Sequence, residues 1–155
     1  MNDYSELAER IRTELVNLDI AVRRAIELSG KAKTKGDDGY WDGVALNLHS
    51  YYSGVEHIFE DIARTIDDEI PSGVNWHTEL LTQMSVERKK VRPPVISQET
   101  RIVLDKFRAL RHVIRNVYAF NLRPASLNDL VVKLPDCFSA TKNDLLKFAE
   151  FLESV

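Results

Sequence analysis

The apolar residues of this chain recur every three or four positions, not every two, and that spacing limits what it can fold into. Leu7, Ile11, Leu15, Leu18, Val22 and Ile26 mark one amphipathic helix over residues 4–29. Leu48, Tyr51, Tyr52, Val55, Ile58, Phe59, Ile62 and Ile66 mark a second over 40–68, with an apolar arc wide enough for the centre of a bundle. Val103, Phe107, Leu110, Ile114, Val117 and Tyr118 line one side of a third over 101–122. No segment alternates apolar and polar residues strongly enough to predict a strand. The expected fold class is therefore all-α, an antiparallel helix bundle with short extra helices. A chain of 155 residues is expected to form a single domain over 1–155.

Local signals set the expected boundaries. Gly30 and the following lysines are expected to end the first helix. Pro71 and Gly73 stop the second. A short helix is expected over 74–85. Pro93 and Pro94 forbid helix, so Glu87 to Pro94, with Arg88 and Arg92, reads as an exposed basic loop. Ser97 is a candidate N-cap for the third long helix, which should end before Pro124. Ser126 to Asp129 and Thr141 to Asp144 have capping-box-like spacing and predict two short helices, near 127–133 and 142–153.

The third long helix has an unusual second face. Arg101, Asp105, Arg108, His112, Arg115 and Asn116 fall opposite the apolar stripe. His112 stands four residues after Arg108, three before Arg115 and four before Asn116, so these side chains are neighbours on the helix surface. Arginine outnumbers lysine here, and arginine suits planar contact with phosphate. Guanidinium groups beside an imidazole disfavour its charged form. A neutral imidazole can take the proton of a ribose 2′-hydroxyl while the arginines hold the charge that builds on phosphorus. These groups suffice for RNA cleavage without a metal. The formal net charge of −3 argues against a generally basic nucleic-acid binder but leaves room for a local basic cleft.

Other residues promise less. His49 and His57 lie two turns apart on the second helix and could share a face, but no histidine pair has the i, i+4 spacing of a metal site, so no metal or other cofactor is expected. His77 reads as a loop or short-helix residue. Cys137 is the one cysteine; it excludes an intramolecular disulfide and, beside Pro135 and Phe138, reads as core. With no secretory-type start and no apolar run approaching the ~18 residues of a membrane span, a cytoplasmic setting is expected.

Arg115-Asn116, on a late helix of a short all-α chain, resembles the Arg-polar-x-x-x-His signature of the HEPN superfamily. The stretch Leu48 to Glu60 is similar to the equivalent helix of HepT-like members, and the likeness covers roughly residues 5–153 as a pattern. It implies a ribonuclease toxin acting as a homodimer, with RNA as substrate and the active site between the two late helices. It also implies a cognate minimal nucleotidyltransferase antitoxin, which in some such systems adds AMP to a tyrosine near the catalytic histidine. On this reading His112 is the general base, Arg115 and Arg108 stabilise charge, and Asn116 orients. Tyr118 is the nearest tyrosine, and Glu56 is a buried partner for an arginine of the late helix. The chain also departs from the pattern. The family's histidine follows the arginine, at places that here hold Phe120, Asn121 and Leu122. Pairing Arg108 with His112 leaves one residue too few between them, and the usual His-x-Tyr tail has Ile114 in place of tyrosine. Either His112 serves from one turn upstream, or the ribonuclease site is degenerate and the module binds nucleotide, RNA or a nucleotidyltransferase partner without cleavage.

Overall fold

A computed structural model describes residues 2–118 and 121–155. Its elements are α1 (Asp3–Lys35), α2 (Gly39–Ile62), α3 (Trp76–Met84), α4 (Gln98–Asn116) and α5 (Pro124–Ser154). The described residues contain no strand; the sole β-type pairing is the bridge between Arg88 and Arg92. The fold is an all-α bundle, as the spacing predicts. The helix of the widest apolar arc, α2, packs against α1, α3, α4 and α5. Tyr51 joins three layers: its ring meets Phe107 of α4 edge-on at 5.5 Å and Phe138 of α5 at 6.1 Å. Each such pair is worth about 0.5–1.5 kcal/mol beyond the area it buries.

Several ends differ from expectation, each for a local reason. Gly30 does not end α1. The helix runs on to Lys35, and Gly36, at φ 64°, is the left-handed cap, its N–H reaching Ala32 O at 3.0 Å. α2 continues into one wider π-type turn, Ala63–Asp67, closed by Asp68 at φ 53°. The third long helix stops at Asn116 rather than 122, with Val117 extended; the last part of the expected span includes Ala119 and Phe120, which lie outside the described residues. The two short C-terminal helices are one helix. Pro124 starts it from the first turn, where a missing N–H is harmless. Pro135 sits inside it, yet Leu130, Leu134, Cys137, Phe138, Thr141 and Leu145 carry one buried stripe across that point. Thr141 is thus a core residue, not a cap. Asp144 caps at a distance instead, its Oδ2 accepting from Ser97 N–H at 3.1 Å and the Thr100 hydroxyl at 2.7 Å at the start of α4.

The expected basic loop is a second correction. Arg92 is buried, not solvated. Its guanidinium grips both carboxylate oxygens of Asp67, at 2.6 and 2.8 Å, and donates to the carbonyls of Gln83, Val86 and Pro93. Arg88 bonds Glu69 at 2.6 Å. The segment between α3 and α4 is therefore fastened to the end of the α2 extension. No described helix is long and apolar enough to cross a membrane.

Candidate active site

α3 and α4 form the two walls of an open cleft of about 810 Å³. From α4 come Arg108, Arg111, His112, Arg115 and Asn116; from α3 and the turn before it come Val74, Asn75, Trp76, His77 and Thr78. The four predicted residues Arg108, His112, Arg115 and Asn116 thus share one cavity. Ser97 launches α4 as its N-cap, accepting from Thr100 N–H at 3.1 Å, and the buried Leu104, Phe107 and Leu110 fix its rotation. That rotation sets which polar side chains meet solvent.

The arginines differ in their surroundings. Arg108 is half-buried, its Nε 2.6 Å from Asp105 Oδ1 one turn back. Arg111 turns inward toward α2, its Nε donating to Ser53 Oγ at 3.2 Å and its Nη2 lying 3.8 Å from Glu56 Oε1. Arg115 and His112 are exposed. Asn116 reaches back, its Nδ2 donating to the His112 carbonyl at 2.6 Å and lying 3.5 Å from His112 Nδ1. This amide both satisfies a last-turn carbonyl of α4 and borders the imidazole ring.

Glu56 is 2% exposed and lies beneath the cleft, where it meets Arg111 and also His77. The His77 Nδ1 is 2.7 Å from Glu56 Oε2. Its ring stacks on Trp76, with centroids 3.6 Å apart and planes 32° from parallel. Sequence reasoning passed over His77, which sits outside the stripe on α4. No local signal identifies it, because its partner is 21 residues away on another helix.

His49 and His57 do not share a face. His57 is exposed and lines a groove against α1 with Glu6, Glu9, Arg10, Glu14 and Asp61. His49 lies on the α4 side, where burial first, and then Arg111 and Arg115, push its pKa down, with Glu56 opposing. Guanidinium repulsion from α4 thus reaches a histidine of α2. Burial, then the nearby Glu56 carboxylate, pushes the Tyr52 phenol far up, so it stays protonated. Tyr118 lies beyond the end of α4 and is 73% exposed, not bordering the core. Cys137 is buried, its Sγ 3.3 Å from the Tyr51 hydroxyl, and burial raises its pKa. No group of three or more His, Cys, Asp or Glu among the described residues is arranged to hold a metal ion.

The walls of the cleft, then, carry two imidazoles, three guanidiniums and a stacked indole. Such a set can bind a phosphodiester and move protons at it. No curated protein and no solved structure matches the chain. The family model described as HepT-like protein matches residues 43–152, from the first turns of α2 to the end of α5. With both cleft walls inside that match, the chain belongs to the HepT-like family of the HEPN superfamily.

Proposed function

We propose that this chain is a metal-independent endoribonuclease and the toxin of a toxin–antitoxin pair. The observation that carries this is the convergence of His112, Arg108, Arg111 and Arg115 on one cleft. In this reading His112 removes the 2′-hydroxyl proton. Arg115, exposed at the cleft, meets the phosphoryl oxygens, and Arg108 adds charge from the next turn. Asn116 keeps the His112 ring from swinging. The product is a 2′,3′-cyclic phosphate. The active form is a homodimer in which two α4 helices meet about a twofold axis. Exposed apolar residues on α4, Ile102 and Val113, support such a contact. A minimal nucleotidyltransferase is the proposed partner and antitoxin, with Tyr118, exposed at the cleft end of α4, as the acceptor of AMP.

The test is expression of the chain and of His112→Ala and Arg115→Ala, scored for growth arrest and for cleavage of RNA by the purified proteins. Both side chains are exposed, so both variants should melt like the parent. Each should lose cleavage by about 10²–10⁴-fold. A His112→Ala protein that still cuts RNA overturns the assignment. One observation favours the alternative, a module that binds without cutting. Arg108 and Arg111 are already engaged by Asp105, Ser53 and Glu56. In that case the protein would bind RNA with steep salt dependence and leave it intact.

A further inference from the structure

The proposed cleavage needs two proton transfers. One takes the proton from the 2′-hydroxyl as its oxygen bonds to phosphorus. The other delivers a proton to the 5′-oxygen as the P–O5′ bond breaks. His112 accounts for the first. No other α4 side chain lining the cleft accounts for the second: arginine does not give up its proton near neutrality, and an asparagine amide does not titrate.

The opposite wall supplies a group built for it. His77 is anchored at both its ring face and one nitrogen. Trp76 stacks on the ring, and the buried Glu56 carboxylate takes Nδ1 at 2.7 Å. A carboxylate at Nδ1 calls for a hydrogen there, which leaves Nε2 as the nitrogen that can exchange a proton with a molecule in the cleft. The His77 side chain is 25% exposed, against 3% for Glu56, so the ring is reachable while its anchor is not. His77 has a carboxylate at its Nδ1, whereas His112 shares its wall of the cleft with Arg108, Arg111 and Arg115. The two rings are thus suited to opposite roles across one cleft.

We propose that His77, positioned by Glu56, is the general acid that protonates the leaving 5′-oxygen, paired across the cleft with His112 as base. This rests on the ribonuclease reading above. The step balances. The 2′-oxygen–phosphorus bond forms and the phosphorus–5′-oxygen bond breaks. The 2′ proton passes to His112 and the His77 Nε2 proton passes to the 5′-oxygen. The products are a 2′,3′-cyclic phosphate and a 5′-hydroxyl, and exchange with water resets both rings. Glu56 is a positioning residue, because it touches His77 and Arg111 rather than the substrate.

The experiment uses the full chain. The linkage that the parent cuts in total cellular RNA is mapped, then rebuilt in an oligoribonucleotide with either oxygen or sulfur at the 5′-bridging position. A thiolate leaves without needing a proton, so a missing acid harms only the oxygen substrate. Single-turnover rates are then measured for the parent, His77→Ala, His77→Gln, Glu56→Gln and His112→Ala, with melting curves as a check on folding. The His77 variants should lose about 10²–10⁴-fold on the oxygen linkage and recover to near the parental rate on sulfur. His112→Ala should fail on both. Glu56→Gln should lower the rate constant on oxygen more than on sulfur and leave the substrate concentration for half-saturation unchanged. If the His77 variants cut the oxygen linkage at the parental rate, or lose equally on both linkages, the acid assignment falls while the ribonuclease reading stands. If the parent cuts no RNA, both fall together.

Discussion

Removing the Arg92 guanidinium should unfasten the cleft from the rest of the bundle. Neither the Arg92 nor the Asp67 side chain has any solvent exposure. A guanidinium has five N–H donors. Here all are used: two go to the Asp67 carboxylate and one each to the carbonyls of Gln83, Val86 and Pro93. Arg92→Met leaves the Asp67 charge buried with only Gln83 Nε2, at 2.8 Å, and the more distant Arg88 beside it. Taking one partner from a buried pair costs about 3–5 kcal/mol. For a chain of this size each kcal/mol moves the melting point by about 2–4 °C, so the fall should be about 6–20 °C. Lysine keeps the charge but has three donors and no fork, so Arg92→Lys should also destabilise, by less.

A double variant separates the charge from the packing. Asp67→Leu with Arg92→Met buries no charge and should regain part of the loss. Recovery stays incomplete because the three carbonyls lose their donor. The assay is thermal and urea unfolding followed by far-ultraviolet circular dichroism. Amide exchange adds a spatial check: α3 should exchange faster in Arg92→Met, since the pair ties the loop after α3 to the end of α2. A melting point for Arg92→Met within about 2 °C of the parent would refute the argument. So would a double variant less stable than Arg92→Met alone.

Two further outcomes follow from other parts of the bundle. The folded protein holds His49 below its ordinary pKa of 6.5, so the unfolded chain takes up a proton that the folded chain resists. Stability should therefore fall as pH drops through and below 6.5, and His49→Gln should flatten part of that fall; identical slopes for the two proteins would exclude the effect. At the α1–α2 contact, a Cβ on Gly54 would stand 2.5 Å from Leu18 Cδ2, so Gly54→Ala should overpack the core and cost about 1–3 kcal/mol, read as a lower urea midpoint. An unchanged midpoint would mean that Leu18 moves aside freely.

What was legible in the sequence had a period. The helices α1, α2 and α4 carry apolar residues at three and four, and burying one stripe per helix leaves few arrangements open. The stripe through Leu130, Leu134, Phe138 and Thr141 has the same period, yet the capping-box-like spacing of Thr141 to Asp144 points to a separate helix start there. The packing of Leu134, Cys137 and Phe138 outweighs the hydrogen bond that Pro135 removes. Arg92 misled in the opposite way. A basic residue beside two prolines looks solvated until its carboxylate is known, and Asp67 lies 25 residues earlier. The site divides along the same line. Arg108, His112, Arg115 and Asn116 share one helical stripe and were visible together. His77 and the inward turn of Arg111 depend on Glu56, a contact between helices that no local spacing encodes.

The position of His112 reads differently once the end of α4 is known. The family pattern places its histidine after the arginine, where this chain has Phe120, Asn121 and Leu122. α4 ends at Asn116, and Asn121 and Leu122 stand past that end, in the connection to α5. An imidazole at either place would not share the α4 stripe, because the helical relation of i, i+3 and i+4 ends with the helix. A histidine that keeps Arg115 and Asn116 as surface neighbours must precede them, and His112 is placed three before the one and four before the other. Its Nδ1 lies 3.5 Å from the Asn116 amide, and it lines the cleft with Arg108, Arg111 and Arg115. In a chain whose late helix is this short, moving the histidine one turn upstream keeps it on the arginine face. The displacement is thus an argument for the ribonuclease reading as much as a departure from the family's spacing, and His112→Ala decides between them.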